Sequence, residues 1–413
     1  MPFEPYRRVL AVPGVGAVNL LGAAARVPHA ATSVVLTVHV VETLGRGYGA
    51  AGLVVAAWTI GLALGSPWRG RVIDRLGLRR ALLPSLIAEG VVWCSAPWLP
   101  LPALFVAVVI GGALGLPVFT VIRLALSVMV PDAQRRTAFA LDSVSVEASF
   151  MIGPALGLVL ATQVSTRFAL VGIGVLAVIA GIGLVAMNPP TRTAADLARR
   201  EQALRDHAVG REAAPRHKVP VTGPVVAVLA AAAASTIVLA GTDVSIIASM
   251  RDTDDLRYAG FVVTAWAFSS LLGGLVYGSL SRPVPPFLLL LGLGLLTAPV
   301  GLAHGPLWLG LAMLPAGFLC APVITATADV LTGLVPDEVR GEAMGWHGSA
   351  LTAGVAVGAP LAGFAIDHSQ PWAGFATVGG AGVLLACAGL LAVRTPKETI
   401  SQATRPVSFS PGP

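Results

Sequence analysis

Charged residues are scarce in this chain. Only 12% of its 413 residues are Asp, Glu, Lys or Arg, whereas 55% are hydrophobic. Soluble domains usually carry about 25% charged residues. The shortage of charge argues against a soluble domain. It indicates a chain that crosses a membrane many times.

Cysteine and lysine are also rare. The three cysteines, Cys94, Cys320 and Cys387, lie in separate apolar runs and lack the spacing of metal ligands. We interpret them as small packing residues and expect neither disulfides nor a metal site. Lysine occurs only at Lys218 and Lys397. This bias towards arginine, together with abundant Ala, Gly and Pro, is typical of a GC-rich bacterial genome.

The sequence lacks the motifs of common enzymes. It has no nucleotide-binding loop of the form Gly-x-x-x-x-Gly-Lys-Ser/Thr, and no zinc motif or nucleophile–base pair stands out. The net charge of +6 does not indicate nucleic-acid binding, because the basic residues lie in short loops between apolar runs. We therefore expect no enzymatic activity, no cofactor and no nucleic-acid partner.

Twelve apolar runs are long enough to cross a bilayer, which takes about 20 mostly apolar residues per helix. The sequence therefore predicts an all-α membrane protein with twelve transmembrane helices. The predicted spans cover residues 11–41, 48–69, 81–98, 102–129, 138–162, 168–188, 222–249, 258–280, 287–303, 307–334, 343–366 and 373–393.

The arginines predict the orientation in the membrane. Cytoplasmic loops of membrane proteins carry an excess of Lys and Arg. If the N-terminus is cytoplasmic, the outer loops hold only four arginines, and all other loop and tail arginines lie inside. We therefore expect a multi-pass protein of the cell membrane with both termini in the cytoplasm. The four outer arginines are Arg46, Arg167, Arg251 and Arg257.

The chain repeats itself at an offset of 205 to 208 residues. Residues 51–58 resemble residues 259–266, and residues 130–132 match residues 335–337. Such a repeat predicts two pseudo-symmetric halves of six helices with the same orientation. The predicted boundaries are an N-terminal half at 1–188, a cytoplasmic linker at 189–220, a C-terminal half at 221–395 and a cytoplasmic tail at 396–413.

A basic turn lies between the second and third predicted spans. Residues 69–80 contain five arginines and one aspartate. Gly70, Asp74, Arg75 and Gly77 form the pattern Gly-x-x-x-Asp-Arg-x-Gly, which resembles the signature loop of the major facilitator superfamily of secondary transporters. The second half lacks this turn and has Ser279–Pro283 in its place.

The resemblance implies a role for this turn. In the superfamily, the aspartate and arginine form a charge network with the fourth span and the opposite half, which closes the inner side of the protein. We expect Asp74, Arg75, Arg123 and Asp132 to form this conformational switch. Leu78 stands where the family often has a basic residue, so part of the network is expected to differ.

Five polar residues within the spans are candidates for proton coupling or for the substrate cavity. A charged side chain at the bilayer centre is costly and is therefore expected to face a polar cavity or a partner. In the superfamily the first and fifth spans are neighbours, so we expect Arg26 to interact with Glu147. The alternative for Arg26 is a purely structural ion pair that never meets the substrate. The candidates are Arg26, His29, Asp142, Glu147 and Asp243.

The fifth span also carries a glycine–proline motif. Gly153, Pro154 and Gly157 resemble the Gly-x-x-x-Gly-Pro-x-x-Gly pattern of the drug/proton antiporter branch of the superfamily. Ser149 and Leu158 depart from that pattern. We expect a helix bend here, and general packing of small residues is the alternative.

These observations predict a secondary active transporter that exports a small molecule in exchange for protons. A cavity poor in hydrogen-bonding side chains favours export over sugar import. The alternatives are a proton-coupled importer of a metabolite and a membrane sensor that transports nothing. A monomer is sufficient for this fold.

Overall fold

The computed structural model describes residues 4–193, 197–198, 201–202, 205 and 219–394. Its regular elements are helices, and no strand occurs in these residues. Most of the predicted linker and the whole predicted tail at 396–413 lie outside them. The division of the chain into halves therefore stays a prediction at these boundaries.

Fourteen α-helices of the described residues are numbered in chain order. They are α1 Glu4–Leu10, α2 Val15–Val38, α3 Tyr48–Leu76, α4 Leu78–Ser95, α5 Leu101–Leu114, α6 Val118–Met129, α7 Asp132–Gln163, α8 Thr166–Met187, α9 Gly223–Asp252, α10 Ala259–Ser279, α11 Pro286–Thr297, α12 Pro306–Leu334, α13 Arg340–Asp367 and α14 Pro371–Arg394. A π-helical turn at His39–Thr43 follows α2 directly.

The number of membrane spans is close to the predicted number. Within the described residues, ten helical segments are long and apolar enough to cross a membrane, with α5 and α6 counted together as Leu101–Met129. An eleventh results if α1 and the segment Val15–Thr43 form one bent span, although their axes meet at 89°. The apolar segment Pro286–Leu302 is shorter. The prediction of twelve spans is therefore not confirmed by length and composition.

The break between α5 and α6 shows how an irregular backbone is tolerated among apolar helices. Gly115 and Pro117 flank the break, which frees backbone groups from helical hydrogen bonding. The Glu89 carboxylate accepts the Leu116 backbone N–H at 2.9 Å and the Trp93 indole N–H at 2.5 Å. An unsatisfied backbone group in a bilayer costs several kcal/mol. Glu89 therefore has a local structural role at this break.

Three hydrophobic clusters divide the helices into two sets. One cluster lies wholly within residues 31–173, and another lies wholly within residues 231–386. The third contains residues 9–184 together with residues 225–344. We call α1–α8 the first set and α9–α14 the second set. The two sets each have a core of their own and share the third.

Helices α3 and α13 bring the two sets into close contact through glycines. A Cβ atom at Gly345 of α13 would lie 2.5 Å from the Ser66 carbonyl oxygen and 2.7 Å from the Pro67 Cα of α3. The same helix contacts Gly70 through Gly341, where a Cβ would lie 2.8 Å from the Gly70 oxygen. No side chain fits between these backbones. We call the end of the protein that carries the 69–80 turn the turn end.

We predict that Gly345→Ala destabilises the packing of α3 on α13, because the added methyl group must displace backbone atoms. The expected loss is roughly 1–3 kcal/mol, as for overpacked cores. Gly363→Ala on the same helix is the matched control, since a Cβ at that position would meet no atom within 4 Å. Thermal unfolding of the purified protein in detergent measures both. A midpoint for Gly345→Ala at or above that of Gly363→Ala would contradict the close contact.

Candidate functional site

A large cavity lies between the two sets of helices. Its volume is about 760 Å³, within the range of small-molecule sites. Helices α2, α3, α6 and α7 of the first set and α9, α10, α12 and α13 of the second set contribute to its wall. Most lining residues are apolar or aromatic. The charged or titratable lining residues, apart from the Cys320 thiol, are His29, Arg69, Arg123, Glu147, Asp243 and His347.

Glu147 and Asp243 lie on the cavity wall and come from opposite sets. Glu147 of α7 accepts a hydrogen bond from the Ser270 hydroxyl of α10 at 2.8 Å. Asp243 of α9 makes no hydrogen bond or ion pair within the described residues and is exposed to the cavity. Both residues line the same cavity. The structure thus brings together two of the residues singled out in the sequence.

Arg26 pairs with Asp142, so the expected Arg26–Glu147 pair is wrong. The Arg26 Nη2 atom lies 2.6 Å from Asp142 Oδ1, and both side chains are fully buried. Asp142 and Glu147 are five positions apart on α7, which rotates their side chains by about 140° relative to each other. Glu147 consequently faces the cavity and Asp142 faces α2. Neither Arg26 nor Asp142 is among the residues lining the cavity.

The Asp142 carboxylate binds a second cation, Arg123 of α6. Arg123 Nε lies 3.1 Å from Asp142 Oδ2. Its Nη1 lies 3.5 Å from Nδ1 of His347, whose Nε2 is 3.0 Å from the Thr327 hydroxyl. Arg123 therefore belongs to a buried cluster that reaches the second set. In the described part of the chain, no hydrogen bond or ion pair joins Arg123 to the 69–80 turn, contrary to the expectation from the sequence.

Two aromatic residues surround His29 on the cavity wall. The imidazole centroid lies 5.0 Å from that of Trp58 and 5.7 Å from that of Phe119. Arg26 also packs on Phe119, and its guanidinium carbon is 5.0 Å from the ring centroid. The Nε and Nη1 atoms of Arg26 have no hydrogen-bond partner in the described residues. His29 and Phe119 thus line the cavity, whereas Arg26 does not.

The turn aspartate caps a helix of the second set. Asp74 accepts the backbone N–H groups of Gly341 at 3.0 Å and Glu342 at 2.8 Å, in the first turn of α13. A helix N-terminus presents unpaired N–H groups and a partial positive charge, so it favours a carboxylate. Arg71 adds an ion pair with Glu342 at 2.5 Å. The sequence pointed to Asp74 but not to these partners, because the backbone of a distant helix leaves no residue signature.

The other residues assigned to the turn have different roles. Gly77 ends α3 and begins α4 with a φ of 79°, a conformation that favours glycine. Arg75 lies in the last turn of α3. Asp132 is largely exposed and pairs with Arg135 at 2.6 Å, and Arg135 also binds Asp329 of the second set at 2.9 Å. The expectation that Asp132 joins the turn network is therefore wrong.

The glycine–proline motif packs α7 on α2. A Cβ at Gly153 would lie 2.5 Å from the Val27 carbonyl oxygen, and one at Gly157 would lie 2.9 Å from the Ala31 Cβ. Helix α7 continues through Pro154 from Asp132 to Gln163. The contacts are those of close helix packing by small residues. They do not distinguish one branch of transporters from another.

Tyr6 forms a contact between the sets that the sequence did not reveal. Its hydroxyl lies 2.5 Å from the Leu275 carbonyl oxygen and 3.3 Å from that of Gly274, both on α10. Nearby, the Thr137 hydroxyl donates to the Gly278 carbonyl oxygen at 2.5 Å. A tyrosine in a polar N-terminal segment gives no sequence signal for such a contact.

The contacts between the sets lie at one end. Within the described residues, every hydrogen bond and ion pair between the two sets lies between the turn end and the level of Glu147 and Ser270. Residues 150–163 of α7 form none with the second set. The cavity is therefore sealed at the turn end.

We predict strong coupling between Arg26 and Asp142 in a double-mutant cycle of stability. Asp142→Asn leaves two buried guanidinium groups without a counterion, and breaking a buried pair costs about 3–5 kcal/mol. Arg26→Met should cost much less in the Asp142→Asn background than in the wild type. The matched cycle of Arg26→Met with Glu147→Gln should be additive. Thermal or denaturant unfolding in detergent supplies the four free energies. Equal coupling in the two cycles would refute the pairing.

We also predict that Asp74→Asn weakens the seal at the turn end, because an amide oxygen is a poorer acceptor for the helix N-terminus. The distance between spin labels on the turn-end segments of α3 and α13 should lengthen in part of the population. Asp132→Asn is the control, since its side chain is 85% exposed and, in the described residues, forms no hydrogen bond or ion pair with the second set. Electron–electron double resonance measures the distances. Identical distributions in both variants would contradict this role of Asp74.

Comparison with known proteins identifies the family. The sequence profile of the Major Facilitator Superfamily matches residues 18–250 and 225–411. No curated protein matches the chain significantly.

Solved structures share the fold at low sequence identity. The human organic anion transporter MFSD10 (TETRAN) superposes with a TM-score of 0.69 at 18% identity, covering 92% of this chain and 99% of that one. A bacterial homologue of the iron transporter ferroportin in an outward-facing state gives 0.70 at 14% identity, covering 92% and 99%. The proton:xylose symporter XylE bound to 6-bromo-6-deoxy-D-glucose gives 0.67 at 14% identity, covering 90% and 94%. The chain is therefore a multi-pass membrane protein with a transporter fold, and it belongs to the major facilitator superfamily.

Proposed function

We propose that this protein exports a small molecule across the cell membrane in exchange for protons. It would do so as a secondary active transporter that exposes one cavity to each side in turn. The observation that carries the proposal is the cavity of about 760 Å³ between the two sets. Carboxyl groups from both sets, Glu147 and Asp243, face it. A site shared between two bodies changes its exposure when the bodies rock against each other.

The proposal includes twelve spans in two halves. The segments Val15–Thr43 and Pro286–Leu302 would add to the ten long segments as the first and ninth spans. The halves would then correspond to the two sets, with the linker at 189–220 between them. A monomer contains the whole cavity. The arginine distribution supports a cytoplasmic position for the turn end and for both termini.

The arrangement of contacts supports alternating access. A cavity sealed at the turn end would open towards the outside if that end is cytoplasmic. To open inward, the protein must release Asp74 from the N-terminus of α13 and part the backbones at Gly345 and Ser66. These contacts are few and local, and a rigid-body rotation breaks them together. The ion pair of Arg71 with Glu342 and the hydrogen bond of Tyr6 with Leu275 break in the same motion.

Two features of the cavity support proton coupling. The charged form of a carboxyl group is costly in an apolar cavity unless a cation or proton compensates it. Neither Glu147 nor Asp243 has a cationic partner among the described residues. The Ser270–Glu147 hydrogen bond also links the two sets, so a change in the protonation of Glu147 alters a contact that rocking must break.

The lining of the cavity favours export of an amphiphilic compound. None of the described lining residues is Asn or Gln, the side chains that bind sugar hydroxyls with both donors and acceptors. The alternative, proton-coupled import of a metabolite, uses the same contacts and reverses the direction of net transport. A membrane sensor without transport would show no flux.

We predict that reconstituted protein couples substrate movement to protons and that Glu147→Gln removes the coupling, because the amide cannot carry the proton. Proteoliposomes with an imposed pH gradient and an internal pH-sensitive dye report proton flux for a panel of lipophilic cations and amphiphilic metabolites. Glu42→Gln is the control, because Glu42 is exposed and lies outside the cavity.

The sign of the flux separates the alternatives. Proton flux opposite to substrate flux supports export by exchange, and flux in the same direction supports import by symport. Substrate-dependent flux that persists in Glu147→Gln would refute the coupling role of Glu147 and assign it to Asp243. Absence of flux with every compound would contradict the transport proposal.

A further inference from the structure

Three arginines lie at or near the cavity, yet each is engaged by the protein. Arg123 is bound to Asp142 at 3.1 Å. Arg69 donates to the Gly115 carbonyl oxygen and, at 3.4 Å, to that of Leu62. Both side chains are nearly inaccessible, with residue exposures of 5% and 4%. Their positive charges are therefore partly satisfied before any ligand enters.

Arg26 is the third cation, and Phe119 separates it from the cavity. The guanidinium is fully buried and pairs with Asp142 through one nitrogen, while Nε and Nη1 have no hydrogen-bond partner. Phe119 lines the cavity, whereas Arg26 does not. The Arg26 guanidinium carbon lies 5.0 Å from the Phe119 ring centroid, so the ring of a residue that lines the cavity covers one face of the guanidinium.

The carboxyl groups of Glu147 and Asp243 lie directly on the cavity wall. Asp243 is exposed to the cavity and has no hydrogen bond or ion pair within the described residues. Glu147 has only the Ser270 hydroxyl as a donor. The two carboxyl groups that a ligand meets in the cavity therefore have no cationic partner in the described residues, whereas the lining arginines Arg69 and Arg123 are engaged by the protein.

Aromatic side chains complete a site for a cation. Trp266 lines the cavity with 8% exposure, and its Nε1 has no oxygen or nitrogen acceptor in the described residues. Phe150 lines the cavity 6.3 Å from Phe119, measured between ring centroids. Aromatic faces attract organic cations, most strongly when water is excluded.

We propose that the cavity binds substrates with a cationic group on an aromatic or apolar body, held by Glu147 and Asp243, and that Phe119 sets this charge preference by screening Arg26. This inference rests on the proposed function for the cavity as a transport site. It adds a class of substrate and a specificity-determining residue. Without the Phe119 ring, the two unpartnered donor atoms of Arg26 face the cavity, and the site gains affinity for anions.

Two ions of the same shape and opposite charge test the proposal. Tetraphenylphosphonium and tetraphenylborate are titrated into the purified full-length protein in an uncharged detergent, and binding is followed by calorimetry. Heats of partition into protein-free micelles are subtracted. We expect the wild type to bind the phosphonium ion more tightly than the borate ion.

The variants separate the two parts of the proposal. Glu147→Gln and Asp243→Asn should each weaken phosphonium binding roughly tenfold, as expected for loss of a charge in a desolvated site. Borate binding should not weaken. Phe119→Ala should raise the affinity for borate relative to phosphonium. Phe119→Leu, which fills more of the space without a ring, should shift the ratio in the same direction, and Phe119→Tyr should leave it near the wild-type value.

Several results would overturn the proposal. Tighter binding of borate than of phosphonium by the wild type would refute the cation preference. The absence of binding of both ions would refute it as well. Equal losses for both ions in the carboxylate variants would show that Glu147 and Asp243 only maintain the fold. An unchanged ratio of the two affinities in both Phe119→Ala and Phe119→Leu would remove Phe119 from the determination of charge preference. Thermal unfolding of each variant confirms that the protein titrated is folded.

The outcome of this binding test is independent of the outcome of the transport experiment. Binding in detergent needs neither a pH gradient nor alternating access. Cation binding without proton flux would support the site and contradict the proposed function. Transport of an anion by protein that does not bind tetraphenylphosphonium would support the proposed transport function and contradict the cation site.

Discussion

The buried Asp142 carboxylate is the constraint on which the centre of this protein depends. It binds Arg26 of α2 and Arg123 of α6 from its own position on α7. Each of these charges alone would carry a large desolvation cost inside a membrane protein. The shared carboxylate therefore fixes three helices of the first set relative to one another. Through Arg123 and His347 the cluster also reaches α13 of the second set.

A second constraint acts at the turn end. There the backbones of α3 and α13 are in contact, and Asp74 satisfies N–H groups at the start of α13. These contacts depend on the relative placement of whole helices, so they form and break together. The Asp142 cluster holds the first set in one shape, and the turn end decides how that set meets the second. The cavity is the space left between the two bodies beyond this seal.

The charge pattern of the cavity follows from the same arrangement. Asp142 takes up two of the nearby cations, and backbone carbonyl groups bind Arg69. Glu147 and Asp243 have no cationic partner in the described residues, because the arginines are already engaged elsewhere. The lining arginines Arg69 and Arg123 balance the two carboxyl groups in formal charge, but both arginines are engaged within the protein.

The sequence by itself determined that the chain crosses the membrane many times, and it pointed to Asp74 in a basic turn and to Glu147 and Asp243 as candidates for the cavity. Hydropathy and charge are properties of neighbouring residues, so a membrane-spanning segment and a short motif can both be recognised from a short stretch of sequence. Only the tertiary structure decided that Arg26 pairs with Asp142 and not with Glu147, that Asp132 lies outside the turn network, and that Tyr6 binds α10. Each of these depends on the rotation of a helix about its axis and on which backbone lies opposite, and a weakly amphipathic apolar helix does not encode either in its sequence pattern.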